Sequence, residues 1–138
     1  SVKASSLTSK ISVTHIATSF SVIVLGTLVT GSGPHAGDEK ARRFGFDIRS
    51  ITVLHADVVI ALFGLTLALF VAYRANSIVK KKIFIFTAIA LAQGLIGYIQ
   101  YFTGIPELLV AAHLLGAALV WIAAWRIRIA ITTDKVKK

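Results

Sequence analysis

Four apolar runs dominate this chain, and each is about as long as a bilayer is thick. They are Ile11 to Thr30, Ile51 to Tyr73, Ile83 to Phe102 and Glu107 to about Ile131. A helix needs roughly 20 apolar residues to cross the hydrocarbon core. A chain crossing there must satisfy its own backbone polar groups, so each run is predicted to be a helix. Only 15% of the residues are charged, against about a quarter in soluble domains. The predicted fold is all-α: an integral membrane antiparallel four-helix bundle, forming a single domain over residues 1–138.

The connections support this order. Run one, rich in Ser and Thr, stops at Gly31-Ser32-Gly33-Pro34, a strong helix terminator. A polar loop follows from His35 to Ser50. A basic turn, Arg74 to Lys82, leads into run three. The turn Thr103-Gly104-Ile105-Pro106 is too short for anything but antiparallel neighbours. Pro106 suits the first turn of run four, and Glu107 suits the positive end of its dipole.

The net charge of +9 and the pI near 10.3 raise the question of nucleic acid. No basic face with interleaved aromatics accompanies them, so nucleic acid is not an expected partner; membrane lipid is. The basic residues cluster at the ends of the apolar runs. Eleven of fifteen fall on one side: Lys3, Lys10, Arg74, Lys80, Lys81, Lys82, Arg126, Arg128, Lys135, Lys137 and Lys138. The other side has Lys40, Arg42, Arg43 and Arg49, diluted by Asp38, Glu39 and Asp47. The positive-inside rule then predicts a multi-pass membrane protein with both termini cytoplasmic.

The chain contains no cysteine. That excludes disulfides, thiolate metal sites, iron–sulfur clusters and covalent haem attachment. It contains no methionine either, even at position 1, from which we expect a piece of a longer protein. No signal peptide is visible.

Ionisable residues inside a span are costly and usually functional. His55 and His113 stand out because the topology pairs them. Runs two and four both enter from the outer side, and the two histidines fall within one helical turn of the same depth. Two imidazoles facing each other across a bundle suit the axial positions of a haem iron. Gly116, Ala117, Val120 and Ala124 follow His113 on its own face and leave room for a flat porphyrin. Val58, Val59 and Leu62 after His55 form an apolar wall. Arg42, Arg43 and Arg49 are candidates to meet haem propionates.

Other readings stand beside this one. A membrane histidine can simply hydrogen-bond a neighbouring helix. A zinc site would need a third or fourth ligand that the sequence does not offer. His15, near the terminal end of run one with no partner at its depth, reads as structural or interfacial. His35 reads as a solvated loop residue. Asp57 lies about 200° around the helix from His55 and is expected to face a neighbouring helix or another subunit. Gln93, Gly94, Gly97 and Tyr98 read as close packing with a polar contact.

The stretch Gly26-Thr27-Leu28-Val29-Thr30-Gly31-Ser32-Gly33-Pro34-His35-Ala36-Gly37-Asp38 resembles the start of the carboxyl-terminal half of the haem A synthase family, nearest its actinobacterial form. Leu54-His55-Ala56-Asp57 resembles that family's histidine at the outer end of its sixth helix. Gln93-Gly94-Leu95-Ile96-Gly97 and Leu109-Val110-Ala111-Ala112-His113-Leu114-Leu115-Gly116 resemble its seventh and eighth helices. The resemblance covers about residues 11 to 127.

Members of that family oxidise a ring methyl of haem O to the formyl group of haem A, for cytochrome oxidase assembly. They are built as two four-helix halves. The resemblance implies that His55 and His113 are the axial ligands of a haem b. It implies as partners the amino-terminal four-helix half or a homologous subunit, with haem O and haem A as substrate and product of the whole enzyme. The substrate half carries a glutamate three residues before its first histidine; here that position is Thr52. The family's paired loop cysteines are absent as well. The chain alone is therefore expected to hold haem b and pass electrons, not to perform the oxidation. Two rival expectations are an unrelated four-helix bis-histidine cytochrome b that transfers electrons, and a haem-free membrane assembly subunit.

Overall fold

The computed structural model describes residues 2–33, 40 and 42–136. The fold consists of four helices: α1 (Val2–Ser32), α2 (Ile48–Ala72), α3 (Ser77–Phe102) and α4 (Glu107–Val136). No strand occurs among the described residues. Each helix contains a segment long and apolar enough to cross a membrane: Ser6–Ser32, Ile48–Ala72, Ser77–Phe102 and Glu107–Thr133.

The helices outrun the apolar runs because a helix ends where its capping chemistry says, not where hydropathy falls. α1 begins at Val2 rather than Ile11. α3 begins at Ser77, because the Asn76 side chain accepts the Val79 N–H at 3.0 Å and so caps the helix. Lys80, Lys81 and Lys82 therefore lie on α3, and the predicted basic turn shrinks to residues 73–76. α2 starts at Ile48, capped by Asp47, whose Oδ2 accepts from the Ser50 backbone N–H at 2.8 Å and from its hydroxyl at 2.7 Å. Those two bonds, with a smaller contribution from Arg49, hold the Asp47 carboxyl below its usual range.

Pro106 lies one residue before the position expected for it. Its carbonyl accepts from Leu109 and Val110 at the head of α4. The turn ahead of it places both Gly104 (φ 76°) and Ile105 (φ 60°) in the left-handed region. The Ile105 N–H closes this turn on the Gln100 carbonyl at 2.9 Å.

α1 packs along α2, α3 along α4, and α1 also lies beside α4. α2 touches α3 only sparsely, and the backbones of α2 and α4 do not approach. These two helices are thus diagonal to each other. One hydrophobic cluster holds the bundle together, built from Leu62, Leu69, Val79, Ile83, Phe86, Val120, Ala123, Ala124, Ile127 and Ile131. It occupies the part of the bundle toward the α2–α3 turn. Toward the α1–α2 connection burial is lighter, and Ile51 is the large hydrophobic residue buried there.

Polar groups are threaded through the cluster. His15 is 1% exposed. Its Nε2 lies 3.1 Å from Thr66 Oγ1, and its ring meets Phe86 edge-on at 4.8 Å. The sequence placed His15 near a helix end with no partner. Because α1 is extended at its amino end, the residue instead falls near the helix midpoint, and Thr66 of α2 is its partner. Arg128 turns its Nη1 onto Ser12 Oγ at 2.6 Å, with Ser9 Oγ at 3.4 Å.

Candidate functional site

The two histidines singled out by topology lie seven residues after Ile48 and six after Glu107. At 1.5 Å per residue their depths differ by only about 1.5 Å. They project from the diagonal pair α2 and α4. Both rings are half-buried. In each, Nδ1 is buried and has no hydrogen-bond partner among the described residues, and the Gly26 Cβ position of α1 lies 3.7 Å from that of His55. An unsatisfied buried nitrogen is expensive in an apolar setting.

Each ring is seated on a glycine of the helix beside it. A Cβ at Gly26 of α1 would lie 3.3 Å from His55 Cε1, and one at Gly97 of α3 would lie 3.6 Å from His113 Cε1. The missing Cβ does a second thing at Gly26. Side chains on a helix lean toward its amino end, so a residue at position 26 would screen the carbonyl one turn earlier, that of Val22. With glycine there, the His55 ring lies toward the Val22 carbonyl.

The space beside His113 differs from the expectation. Gly116 does not line an open slot, because the Gln93 amide of α3 fills the volume where its Cβ would be. Val120 and Ala124 are committed to the hydrophobic cluster. The small-residue face of α4 is therefore a helix-packing face. Gln93 behaves as the predicted polar contact, and its Oε1 is a third buried atom without a hydrogen bond. Gly97 packs as expected. Gly94 has nothing within 4 Å of its Cβ position, and Tyr98 is exposed and stacked on Phe102.

At the end of the bundle nearest the histidines, Arg42 and Arg49 are exposed and Arg43 is half-buried. Arg49 sits in the first turn of α2, six residues before His55. Phe44 folds back over Gly31 of α1, and its N–H donates to the Gly31 carbonyl at 3.0 Å. That contact ties this basic segment to the end of the bundle. His35 lies outside the described residues. Asp57 is exposed on the far face of α2. No cluster of three or more His, Cys, Asp or Glu forms among the described residues. Among the described residues the donor set is thus two imidazoles, which suits a cofactor that brings its own equatorial ligands better than a bare metal ion.

Gly26 and Val22 were missed by reading the sequence for ionisable residues. The signal available was the break in a run of bulky residues at Gly26, at the depth of His55 when α1 and α2 are counted from their shared connection. The chain matches no protein-family model, no curated protein and no solved structure.

Proposed function

We propose that this chain is a membrane haem b carrier, the haem b-binding half of a haem A synthase, with His55 and His113 as the axial ligands. The observation that carries the haem reading is the pair of buried, unpartnered Nδ1 atoms at one depth on diagonal helices. The assignment to haem A synthesis rests on the resemblance of the stretches around Gly26–Asp38, His55, Gln93–Gly97 and His113. The reading includes an antiparallel bundle inserted in a bacterial membrane with both termini cytoplasmic. Contacts of opposite sense support the antiparallel arrangement: His15 with Thr66 and Gly26 with His55 between α1 and α2, Gln93 with Gly116 and Gly97 with His113 between α3 and α4.

A bound haem supplies a one-electron couple whose potential depends on ligand orientation, hydrogen bonding and burial. The chain's residues supply those settings. Gly26 and Gly97 let neighbouring helices come against the imidazoles. Arg42 and Arg49 offer cations to carboxylates at the bundle end. Oxidation of haem O belongs to the complete enzyme, since Thr52 stands where the family's substrate half has a carboxylate. The amino-terminal half or a homologous subunit would contribute that chemistry.

A reduced-minus-oxidised spectrum of the purified chain is expected to show a low-spin b-type band at one haem per chain. His55→Ala and His113→Ala each abolish it. A wild-type chain that takes up no haem overturns the reading.

One observation favours a second reading. The seating of His55 on Gly26 is also what a packing histidine would make, as in a haem-free assembly subunit; a double His→Ala variant that keeps fold and partner binding identifies that case. Haem binding without restoration of haem A synthesis, when the amino-terminal half is supplied, identifies an unrelated cytochrome b.

A further inference from the structure

α2 carries a second ordered stripe, directly opposite the face that holds His55, Leu62 and Leu69. Val53, Asp57, Ile60, Gly64, Leu67 and Val71 are all exposed, and they recur at alternating steps of four and three. That is the spacing of a single helix face. Asp57 lies three residues from the midpoint of α2, about 4.5 Å along the axis. It has no hydrogen bond or ion pair with any described residue. Within hydrocarbon such a carboxyl group is costly, and membrane proteins pair it. Two turns on, Gly64 has nothing within 4 Å of its Cβ position, so a second backbone can come close beside it.

From this face we infer a docking site for a transmembrane helix of another protein segment, one that presents a lysine or arginine near mid-bilayer to pair with Asp57. A second copy of this chain does not fit. Direct α2–α2 contact would bring two Asp57 carboxyl groups together. The deepest described cation, Arg126, lies 19 residues into α4, whereas Asp57 lies nine into α2, a mismatch of about 15 Å. The inference rests on the membrane part of the proposed function and is independent of haem.

The test uses the full chain, labelled through Thr103→Cys, in phosphatidylcholine vesicles. The probe is a 25-residue leucine–alanine helix with one central lysine, carrying an energy-transfer acceptor. Transfer is expected with wild type. Binding weakens at least tenfold in Asp57→Leu, in Gly64→Ile, and when the probe's lysine is replaced by leucine. Equal binding by probes with and without lysine overturns the site, as does indifference to either substitution. Transfer between copies of the chain that is lost in Asp57→Leu overturns it in favour of self-association. Carbonate extraction of each variant reads insertion separately. A wild-type chain that does not insert overturns the membrane reading and the docking site with it; a chain that inserts but ignores the lysine probe overturns the docking site alone.

Discussion

Gly26 is the seat of His55: a methyl group added there would stand 3.3 Å from Cε1 of the ring. At that distance the imidazole must give way, and the Val22 carbonyl behind it becomes screened. Gly26→Ala is therefore expected to destabilise the bundle by about 1–3 kcal/mol through overpacking and to weaken or shift the haem band. Gly94 provides the control. It is a helix glycine with open space around its Cβ position, so Gly94→Ala is expected to be neutral or stabilising by about 0.5–1 kcal/mol. Thermal unfolding and haem spectra of both variants check this. Equal effects at the two positions would sink the idea that Gly26 is matched to His55.

His15 and Thr66 form a buried polar pair of defined sense. The Thr66 hydroxyl donates to the Leu62 carbonyl at 2.8 Å, so its oxygen accepts from His15 Nε2, 3.1 Å away, and that nitrogen carries the proton. Thr66→Val keeps the shape and strands the Nε2 proton, costing about 1–3 kcal/mol. His15→Leu in the Thr66→Val background is expected to recover part of that loss, because both partners are then apolar. A double-mutant cycle measures the coupling, expected at about 1 kcal/mol. Additive single effects would show that the two groups do not interact.

The four helices were legible because hydropathy reports transfer free energy directly, and a run of twenty apolar residues has few other uses. Their ends were less legible. Asn76 and Asp47 set the starts of α3 and α2 through single side-chain bonds that carry little hydropathic signal. The depth match of His55 and His113 could be counted from the sequence, since both lie near the starts of helices expected to enter from the same side. The environment of His113 could not. Gly116, Val120 and Ala124 look like room for a ligand when α4 is read alone, and only the packing of α3 reveals that Gln93 and the core already occupy that face. His15 failed for a related reason. Its depth depends on where α1 begins, and a polar serine-rich start hides the beginning of a helix.

Asp47 makes the first turn of α2 sensitive to acid. Its carboxyl is held below the usual range chiefly by the Ser50 hydroxyl and then by the Ser50 backbone N–H. A depressed folded-state pKa means that the cap's contribution is complete above the ordinary carboxylate value and is lost as pH falls through the lower, folded one. Amide exchange at Ile48–Ile51 is expected to quicken, relative to its intrinsic rate, below the ordinary carboxylate range, while amides deep in α2 stay protected. Asp47→Ala should show the faster exchange at neutral pH and lose the pH dependence. An unchanged pH profile in that variant would rule out the carboxylate as the cap.

Ile105 stores strain at the α3–α4 turn. Its φ of 60° is hard on a β-branched residue, and the following Pro106 independently favours extended backbone at position 105. Such a conformation costs about 1–3 kcal/mol, here maintained by the bonds of Ile105 N–H to Gln100 and of the Pro106 carbonyl to the head of α4. Glycine meets the same φ without a Cβ penalty. The Ile105 side chain is only half-buried, so the packing lost on its removal is limited. Ile105→Gly is accordingly expected to match or exceed wild-type stability by up to about 1 kcal/mol, whereas Gly104→Val, at φ 76°, destabilises by a comparable amount or more. Thermal unfolding in detergent measures both. A loss of stability in Ile105→Gly as large as in Gly104→Val would mean that the Ile105 contacts outweigh the strain.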